Sequence, residues 1–391
     1  MATSTFKHVK IKGISTVIPE KEICIYDEAK YYDNDIKKID RLRRMVGFHK
    51  RRVVENNVTA SDLAIQATEN LIRDMAIDKR SIDALIYVNQ RPDFRQPATS
   101  FYIHHRLKLP EECQVIDVTH GCPGWVYGLW IGGQMVESQA CKRVLLLVGD
   151  TPSANINLSD RISAPVFGDG AAATLLEYSE DTFLSYFNIE THSQDYEAIA
   201  TPIPGARSSF NLFKKEDIDL YIKLLTTPIK TESGHDTTVF HGYMDGMAVF
   251  NFTLSVVPKN IKALMAYADV SIQDIECLCL HQANKQIIQT VGGACGFSDD
   301  KVPFFVFENF GNSTLASIPI TITSTLNEKL IKGPTTILCS GFGNGLACAS
   351  CILTLDNIYS PGTMEYKLPE NHMTRDNYLK HWIQKLKGEK K

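Results

Sequence analysis

The amino-acid sequence predicts a duplicated α/β fold in which helices cover mostly parallel sheets. Strand-like and helix-like segments alternate along most of the chain, which is typical of parallel strands joined by helical crossovers. The second half repeats the order of the first, and residues 76–90 (AIDKRSIDALIYVNQ) resemble residues 268–282 (ADVSIQDIECLCLHQ). An internal repeat of this length indicates one duplicated unit rather than two unrelated domains.

Hydrophobic periodicity defines the elements of the first half. A helix is expected at 61–76, where Ser61 is a plausible N-cap, and a buried helix at 123–140, where Pro123 stands in the first turn and is tolerated. Apolar runs of strand length predict the strands 81–90, 113–120, 142–150 and 171–178.

The second half gives a matching series. Helices are expected at 251–268, interrupted at Pro258, and at 313–330. The predicted strands are 274–282, 302–310, 335–343 and 347–355. The join between the halves falls near residue 178, so the expected division is 1–178 and 179–391.

Two segments have no counterpart in the repeat. Residues 201–240 form an insertion, which we expect at the rim of a site. The tail after residue 356 is polar and ends in a segment where Tyr378, Trp382, Ile383 and Leu386 fall on one helical stripe. Two interpretations stay open for this stripe: a helix packed on the body, or a basic contact for an acidic partner.

Composition excludes several classes of protein. The chain has 391 residues, 44% of them hydrophobic, and a net charge of -4, which favours a large core and argues against nucleic-acid binding. No apolar run reaches the roughly 18 residues of a membrane span, and the N-terminus lacks the pattern of a secretory signal.

The ten cysteines fit the same picture. Most lie in apolar runs, which is typical of buried free thiols and, with the missing signal, of a cytoplasmic protein. Cys348 and Cys351 are three residues apart, but no second pair or nearby histidine supports a metal site, and none is expected.

Cys122 stands out because it lies in THGCPGW, where a predicted strand ends and a helix begins. Backbone N–H groups and the helix dipole stabilise negative charge at such a turn, so we expect a lowered thiol pKa and a nucleophile. Cys113 and Cys141 lack these surroundings. Taken alone, the pattern leaves a structural role for Cys122 equally open.

His281 and Asn312 occupy comparable turns in the second half. His281 ends a predicted strand, and Asn312 lies in FGNST before a helix, where each alone could be a helix cap. The duplication changes this interpretation, because it places Cys122 and Asn312 at equivalent turns of the two halves. Ligands in such sheets gather at the carboxyl ends of strands, so all three side chains are expected to face one cleft.

Five motifs carry a resemblance to a known family. The chain resembles the β-ketoacyl-acyl-carrier-protein synthase III family, in the same order from about residue 8 to residue 355, through CPGWVYGL, VFGDGAAATLLE, HQANKQII, ENFGNSTLASIPI and SGFGNG. HQAN followed by GNSTLASIP is the most specific of these. The resemblance implies a thiolase-like fold with layered helices.

The resemblance also implies a reaction. Cys122 would be acylated by an acyl thioester, from acyl-CoA, and His281 and Asn312 would promote decarboxylation of malonyl-CoA or of a malonyl group on a carrier protein. The oxyanion would be held by backbone N–H groups of Cys122 and of the SGFGNG loop near Gly343 to Gly345. No metal or cofactor is implied, and the family normally forms a homodimer.

Substrate-binding positions match less closely. Arg161 matches the arginine that stacks on adenine in the family, Lys285 adjoins the position of its carrier-contacting arginine, and Phe250 and Phe342 are candidate substrate contacts. Gln96 lies near the position of a phenylalanine that the partner subunit contributes to the pocket. A related reaction that joins two long acyl chains uses a glutamate there, and glutamine cannot accept its proton.

Further departures indicate a specialised condensing enzyme. Arg41 and Met45 stand near the family's tryptophan and arginine, Gln286 stands at its carrier-contacting arginine, and Pro123 follows the cysteine. Two other functions stay open: an acyltransferase to an oxygen or nitrogen nucleophile, and a non-catalytic subunit. The presence of all three candidate catalytic side chains favours condensation over both.

Overall fold

The computed structural model describes residues 2–388 except 56, 162, 212 and 233. Two large sheets hold most of the described strands. In chain order the strands are β1 (Ala2–Phe6), β2 (Val9–Ile18), β3 (Glu22–Cys24), β4 (Lys50–Arg52), β5 (Ala84–Asn89), β6 (Gln114–Thr119), β7 (Arg143–Asp150), β8 (Gly170–Tyr178), β9 (Ser185–Thr191), β10 (Ile199–Ala200), β11 (Ile229–Lys230), β12 (Asp236–Thr237), β13 (Tyr243–Met244), β14 (Cys277–Leu280), β15 (Thr335–Gly343), β16 (Ala347–Leu355) and β17 (Thr363–Glu365).

Helices separate and cover these strands. In chain order they are α1 (Ile36–Val46), α2 (Ala60–Asp74), α3 (Thr99–Leu107), α4 (Gly124–Glu137), α5 (Lys215–Thr226), α6 (Gly246–Ala268), α7 (Lys285–Cys295), α8 (Phe305–Phe310), α9 (Ser317–Thr325), α10 (Asn327–Lys332) and α11 (Arg375–Leu386). Several short 3-10 turns connect them, including one at Thr314–Ala316 directly before α9.

The pairing of strands shows the duplication. The six-stranded sheet has the order β17-β2-β8-β7-β5-β6, and the five-stranded sheet the order β1-β9-β16-β15-β14. In the first, β2, β8 and β7 are antiparallel neighbours and β7 pairs parallel with β5. In the second, β9, β16 and β15 are antiparallel neighbours and β15 pairs parallel with β14. The predicted duplicated α/β fold is therefore confirmed.

In each sheet, the strand that leads to Cys122 or to His281 pairs parallel with its neighbour. The six-stranded sheet is mostly parallel, since β17–β2, β7–β5 and β5–β6 run in the same direction. In the five-stranded sheet, parallel pairing joins β14 and β15 only, and the remaining neighbours are antiparallel. No described strand in that sheet takes the position that β6 occupies in the other.

The core has layers. Helices α4 and α9 lie between the two sheets, and one hydrophobic cluster joins residues of both sheets with Trp125, Leu129 and Ile318 of these helices. Helix α2 covers the outer face of the six-stranded sheet, and α6 and α7 cover that of the five-stranded sheet. This arrangement buries α4 and α9 almost completely and brings their N-terminal turns to the centre of the molecule.

The strand predicted at 302–310 is wrong, because the chain forms helix α8 there. Val306 and Phe307 are buried side by side, and the backbone N–H of Phe307 donates to Gln282 rather than to a neighbouring strand. A short apolar run does not distinguish a buried strand from a buried helix. This difference explains why the five-stranded sheet has no partner strand beyond β14.

Three smaller expectations also need correction. Helix α6 continues through Pro258 without a break. Helix α2 is capped by Thr59 and Asp62, which form a reciprocal capping box, rather than by Ser61. The segment predicted as one helix at 313–330 divides into the 3-10 turn, α9 and the start of α10.

The division at residue 178 stays a prediction, although β8 ends at that residue. Two strands exchange between the halves: β1 pairs with β9 in the five-stranded sheet, and β17 pairs with β2 in the six-stranded sheet. The ends of the chain therefore fasten the halves to each other.

The insertion and the tail have different surroundings. Residues 201–240 hold α5 and the β11–β12 hairpin, and Asp236 of the hairpin accepts hydrogen bonds from Asn157 and Ser159, close to Arg161. The tail forms the expected helix, α11, but Trp382, Ile383 and Leu386 of the predicted stripe are 39%, 52% and 84% exposed, so the stripe does not pack on the described body of the chain.

Among the residues that the structure describes, no helix is long and apolar enough to cross a membrane. In the same part of the chain, no group of histidine, cysteine, aspartate or glutamate side chains could hold a metal ion. Cys348 and Cys351 lie on opposite faces of β16, in two different core clusters, which separates their thiols.

Candidate active site

The candidate site forms where elements of the two halves meet at the centre. Cys122 lies between the end of β6 and the start of α4, and His281 directly follows β14. Asn312 lies between α8 and the turn that leads to α9. Since α4 and α9 both pack between the sheets, their N-terminal turns approach each other, and Gly124 contacts Leu315.

The Cys122 thiol lies against the end of β15. A Cβ atom built on Gly343 would stand 3.2 Å from the Cys122 sulfur, and Gly343 has a φ of +140°. Both facts require glycine, because a side chain would be strained and would crowd the sulfur. Cys122 as a residue is half-buried.

The pKa of Cys122 differs from the sequence expectation. Burial raises it to about 12, the Asp150 carboxylate adds to the rise, and backbone N–H groups of Asn344 and Cys122 lower it in part. The expected lowering was wrong because removal of the thiolate from water outweighs what the turn provides. At neutral pH the Cys122 side chain is therefore a thiol, and an attack by its sulfur would need a base.

This pKa predicts how the thiol reacts with a neutral alkylating agent. Because only the thiolate attacks, the alkylation rate of Cys122 with iodoacetamide is expected to keep rising as the pH is raised from 7 to 10. Peptide mass spectrometry reports the rate at Cys122 separately from the other cysteines. A plateau reached below pH 8 would show that the thiol is already ionised near neutrality and would contradict the raised pKa.

His281 is neutral at physiological pH. It is 3% exposed, and burial lowers its pKa to about 4, while the Thr314 backbone raises it slightly. Its ring packs edge-on against Phe342, with 5.5 Å between the centroids. Its Nδ1 lies 2.8 Å from the Ser317 hydroxyl, which also donates to the Thr314 carbonyl at 2.8 Å. These contacts fix the plane of the imidazole.

The carboxamide of Asn312 is held in one orientation. Its Oδ1 accepts the backbone N–H of Thr314 at 2.9 Å, which leaves Nδ2 as the group that can donate into the site. Its own backbone bridges to the FGDG segment, where Val166 accepts its N–H at 2.8 Å and Gly168 donates to its carbonyl at 3.1 Å. Asn312 is 6% exposed, so its donor acts in a largely dry environment.

The backbone donors near the sulfur include one that the sequence did not single out. Sequence reasoning placed them on Cys122, Gly343 and Gly345, whereas the amides directed at the sulfur are those of Cys122 and Asn344. Gly343 gives the close approach described above, and Gly345 contacts Ala347 instead. The sequence could not distinguish these amides, since every residue of the loop carries one.

The cationic substrate-binding candidates lie on neighbouring elements. Arg161 is 43% exposed and forms a two-point ion pair with Asp33, at 2.9 and 3.1 Å. Lys285 begins α7, four residues after His281, and its ammonium group lies 4.7 Å from the centre of the Phe304 ring. Lys285 also contacts Gly47, which joins the basic helix α1 to α7.

The other three candidates have different surroundings. Phe250 is half-buried in the second turn of α6 and packs against the core of the C-terminal half. Phe342 is 2% exposed and contacts His281, so it orients the imidazole. Gln96 is exposed in the loop between β5 and α3, outside the group formed by Cys122 and its neighbours.

Several residues that the sequence analysis missed connect the candidates. Thr314 and Ser317 hold Asn312 and His281, and Gln90, Asp150 and Asn344 form a polar network beside Gly121. A signal existed for Asp150 and Gln90, because each stands at the carboxyl end of a parallel strand, where ligands of α/β sheets gather.

The duplicated layered fold is that of the thiolase-fold condensing enzymes. The Cys122 thiol at a helix start, the neutral His281 imidazole and the oriented Asn312 carboxamide are the side chains expected at the centre of such a fold. The family model of 3-oxoacyl-[acyl-carrier-protein (ACP)] synthase III matches residues 116–194. The model of the C-terminal part of the same family matches residues 265–355.

Relatives agree over nearly the whole chain. A Campylobacter jejuni protein named for 3-oxoacyl-[acyl-carrier-protein] synthase 3 is 31% identical over 363 residues, which cover 92% of this chain and 98% of that relative. A β-ketoacyl-[acyl-carrier-protein] synthase III of Streptococcus pneumoniae is 28% identical and covers 88% of this chain and 99% of its own. The crystal structure of 3-oxoacyl-(acyl-carrier protein) synthase from Burkholderia xenovorans superposes with a TM-score of 0.83 at 29% identity, over 93% of this chain and 99% of that chain. The chain belongs to the β-ketoacyl-acyl-carrier-protein synthase III family.

Proposed function

We propose that the protein loads an acyl group from acyl-CoA onto Cys122 and condenses it with a malonyl thioester, with loss of carbon dioxide, to give a β-ketoacyl thioester. The observation that carries this proposal is the grouping of the Cys122 thiol, the neutral His281 imidazole and the oriented Asn312 carboxamide at the centre of the fold. Malonyl-CoA and malonyl-carrier protein both supply the required thioester.

The first half-reaction needs a proton acceptor and an oxyanion hole. Because the pKa of Cys122 is raised, the thiol must lose its proton as it attacks, and the neutral His281 can accept that proton. Backbone N–H groups of Cys122 and Asn344 stabilise the tetrahedral oxyanion. The sulfur–carbon bond to Cys122 forms, the bond to CoA breaks, and the CoA thiolate takes the proton from His281.

The second half-reaction needs donors for an enolate oxygen. Asn312 Nδ2 and the protonated ring nitrogen of His281 donate to the malonyl thioester oxygen, on which charge develops as carbon dioxide leaves. The resulting carbanion attacks the acyl carbon and the bond to the Cys122 sulfur breaks, which releases the β-ketoacyl thioester. A proton from solvent then restores the Cys122 thiol. The Ser317 hydroxyl donates to the Thr314 carbonyl, so it accepts from Nδ1 of His281 during acyl loading. Rotation of the hydroxyl away from Thr314 would let it donate to Nδ1 when the other ring nitrogen carries the proton in the second half-reaction.

The substrate-binding roles are proposed from position. Lys285 on α7 and Arg161 beside the insertion supply cations on either side of α1, which suits the phosphates and adenine of CoA or the acidic surface of a carrier protein. Phe250 at the start of α6 suits the apolar part of the substrate arm. The insertion 201–240 contacts the segment that holds Arg161, which supports its place at the rim.

A homodimer is also proposed. The strand β6 is an edge of its sheet, with Gln114, Ile116 and Thr119 exposed, and an exposed edge can pair with a second copy. The loop that carries Gln96 lies next to β5 and is exposed in the single chain, so it is free to reach a partner subunit. In this arrangement Gln96 provides a polar group to the partner's pocket.

Product mass distinguishes the proposed reaction from simple acyl transfer. The enzyme is incubated with acetyl-CoA, butyryl-CoA or a branched acyl-CoA, together with malonyl-CoA or malonyl-carrier protein. Condensation is expected to give a thioester longer than the primer by two carbons. An acyl group recovered unchanged on oxygen or nitrogen would support the acyltransferase instead, and a protein that never gains acyl mass would support a non-catalytic subunit.

A further inference from the structure

A fully buried carboxylate lies beside the candidate active site. Asp150 ends β7, is 0% exposed and accepts four hydrogen bonds. Its Oδ1 accepts from Arg91 Nη1 at 2.5 Å and from the Thr151 backbone N–H at 2.9 Å. Its Oδ2 accepts from Gln90 Nε2 at 2.9 Å and from Thr314 Oγ1 at 3.0 Å. These four donors, one of them the Arg91 cation, satisfy the hydrogen-bonding capacity of this buried carboxyl group.

One branch of this network leads to the oxyanion hole. Gln90, held by Asp150, accepts from Asn344 Nδ2 at 2.9 Å. The backbone N–H of Asn344 is one of the two amides directed at the Cys122 sulfur. A Cβ atom built on Gly121 would stand 2.7 Å from Asn344 Cβ and 3.1 Å from Gln90 Oε1, so the branch packs tightly against the turn before Cys122.

The other branch leads to the carboxamide. Thr314 donates its hydroxyl to Asp150 and its backbone N–H to Asn312 Oδ1, at 3.0 and 2.9 Å. The carbonyl of Thr314 accepts from Ser317, which also contacts His281. Asp150 therefore lies one residue away from each of the two groups that the two half-reactions need.

We propose that Asp150 is a positioning residue that holds the Asn344 amide beside Cys122 and the Asn312 carboxamide in their working orientations at the same time. It touches no substrate and acts through Gln90 and Thr314. This inference rests on the proposed function, because it assigns the two branches to acyl loading and to decarboxylation. Breaking a buried polar network leaves its remaining members unpaired. Because Gln90 and Thr314 both donate to Oδ2 of Asp150, the loss of that oxygen would disturb both branches.

The charge of Asp150 also affects the reactivity of the Cys122 thiol, and removing that charge should change alkylation and acyl loading in opposite directions. The carboxylate contributes to the raised pKa of the Cys122 thiol. Replacing it with asparagine removes that anion and leaves the Arg91 cation without its partner, and both changes favour the thiolate. A positioning role together with this charge effect means that Asp150→Asn should make the thiol easier to alkylate and yet slower to acylate.

The experiment compares Asp150→Asn with Asn344→Ala and Thr314→Val, which each break one branch. Acyl loading is followed by intact-protein mass after mixing with acetyl-CoA, and decarboxylation by carbon dioxide release from malonyl-CoA on the loaded enzyme. Asp150→Asn is expected to slow both steps about tenfold or more, and to move the alkylation profile of Cys122 to lower pH. Asn344→Ala should slow mainly acyl loading, and Thr314→Val mainly decarboxylation.

The matched control is Asp83→Asn. Asp83 precedes β5 at the amino ends of β5 and β7, whereas Asp150 lies at the carboxyl end of β7. Asp83 accepts the backbone N–H groups of Lys142 and Arg143, at 2.6 and 2.9 Å. Its replacement should lower thermal stability and leave both rates of the folded enzyme and the alkylation profile unchanged.

Two results would overturn the positioning role: unchanged rates in Asp150→Asn, or equal slowing of both steps by Asn344→Ala and Thr314→Val. If Asp150→Asn fails to fold, the two branch variants still decide the question. A wild-type enzyme that loads no acyl group and releases no carbon dioxide would instead refute the proposed function, and the alkylation profile would then test the contact of Asp150 with Cys122 separately.

Discussion

Replacing Cys122 with alanine is expected to abolish acyl loading and to reduce condensation by at least about 10³-fold, because no other described thiol lies beside these backbone donors. Of the remaining cysteines, eight are buried and Cys24 is half-exposed at the end of β3. Intact-protein mass after incubation with acyl-CoA should show one added acyl group in the wild type and none in Cys122→Ala.

Cys24→Ala is the matched control for that variant, since it removes the other partly exposed thiol. It should load acyl groups and condense them at the wild-type rate. Acyl mass that persists in Cys122→Ala and disappears in Cys24→Ala would show that Cys24 is the nucleophile and would contradict the proposed function.

Replacing Asn312 with alanine should remove the carboxamide donor and slow decarboxylation by about 10²–10³-fold, or about 3–4 kcal/mol of transition-state stabilisation. Acyl loading on Cys122 should stay within a few-fold of the wild type, because the oxyanion hole of that step uses backbone donors. Carbon dioxide release from malonyl-CoA and acyl loading are measured on the same preparation.

Asn309→Ala controls for the loss of a neighbouring carboxamide. Asn309 lies three residues earlier in α8 and donates to the Phe305 carbonyl at 3.0 Å, within its own helix. Normal decarboxylation by Asn312→Ala would mean that Nδ2 of Asn312 does not act on the thioester. Equal slowing by both variants would assign the effect to the packing of α8.

Residues whose chemistry depends on side-chain type and on position in the repeat could be predicted from the sequence. Cys122 and Asn312 stand before equivalent helices, α4 and α9, and His281 directly follows β14, the strand that corresponds to β5. The topology that brings the two halves together follows from the same duplication. The positions of these three residues can be predicted because strand ends and helix starts are visible in the local sequence. The order of the motifs along the chain supports the same prediction.

Features that depend on the balance of opposing effects could not be predicted. The pKa of Cys122 was expected to fall because the sequence shows the helix start but not the depth of burial. The amide of Asn344 was missed because a backbone donor leaves no mark in the sequence. The segment 302–310 was taken for a strand because apolar runs of this length suit a buried helix equally well.

The polar network around Asp150 could be recognised only from the three-dimensional structure. Gln90, Asp150 and Thr314 are far apart in the sequence, and only the parallel pairing of β5 with β7 and the approach of α9 bring them together. Asp150 ends an apolar strand, which was a usable sign of a functional position. Its partners could not be inferred from that sign, since they come from both halves.

A single-turnover chase tests the central claim most directly. Enzyme loaded with a labelled acyl group is freed of acyl-CoA, mixed with malonyl-CoA or malonyl-carrier protein, and followed by peptide mass spectrometry at Cys122. The labelled acyl group is expected to leave Cys122 and appear in a β-ketoacyl thioester, with one carbon dioxide released for each acyl group lost. Label that stays on Cys122 while carbon dioxide is released, or label found on any other residue, would contradict the claim that Cys122, His281 and Asn312 form one condensing site.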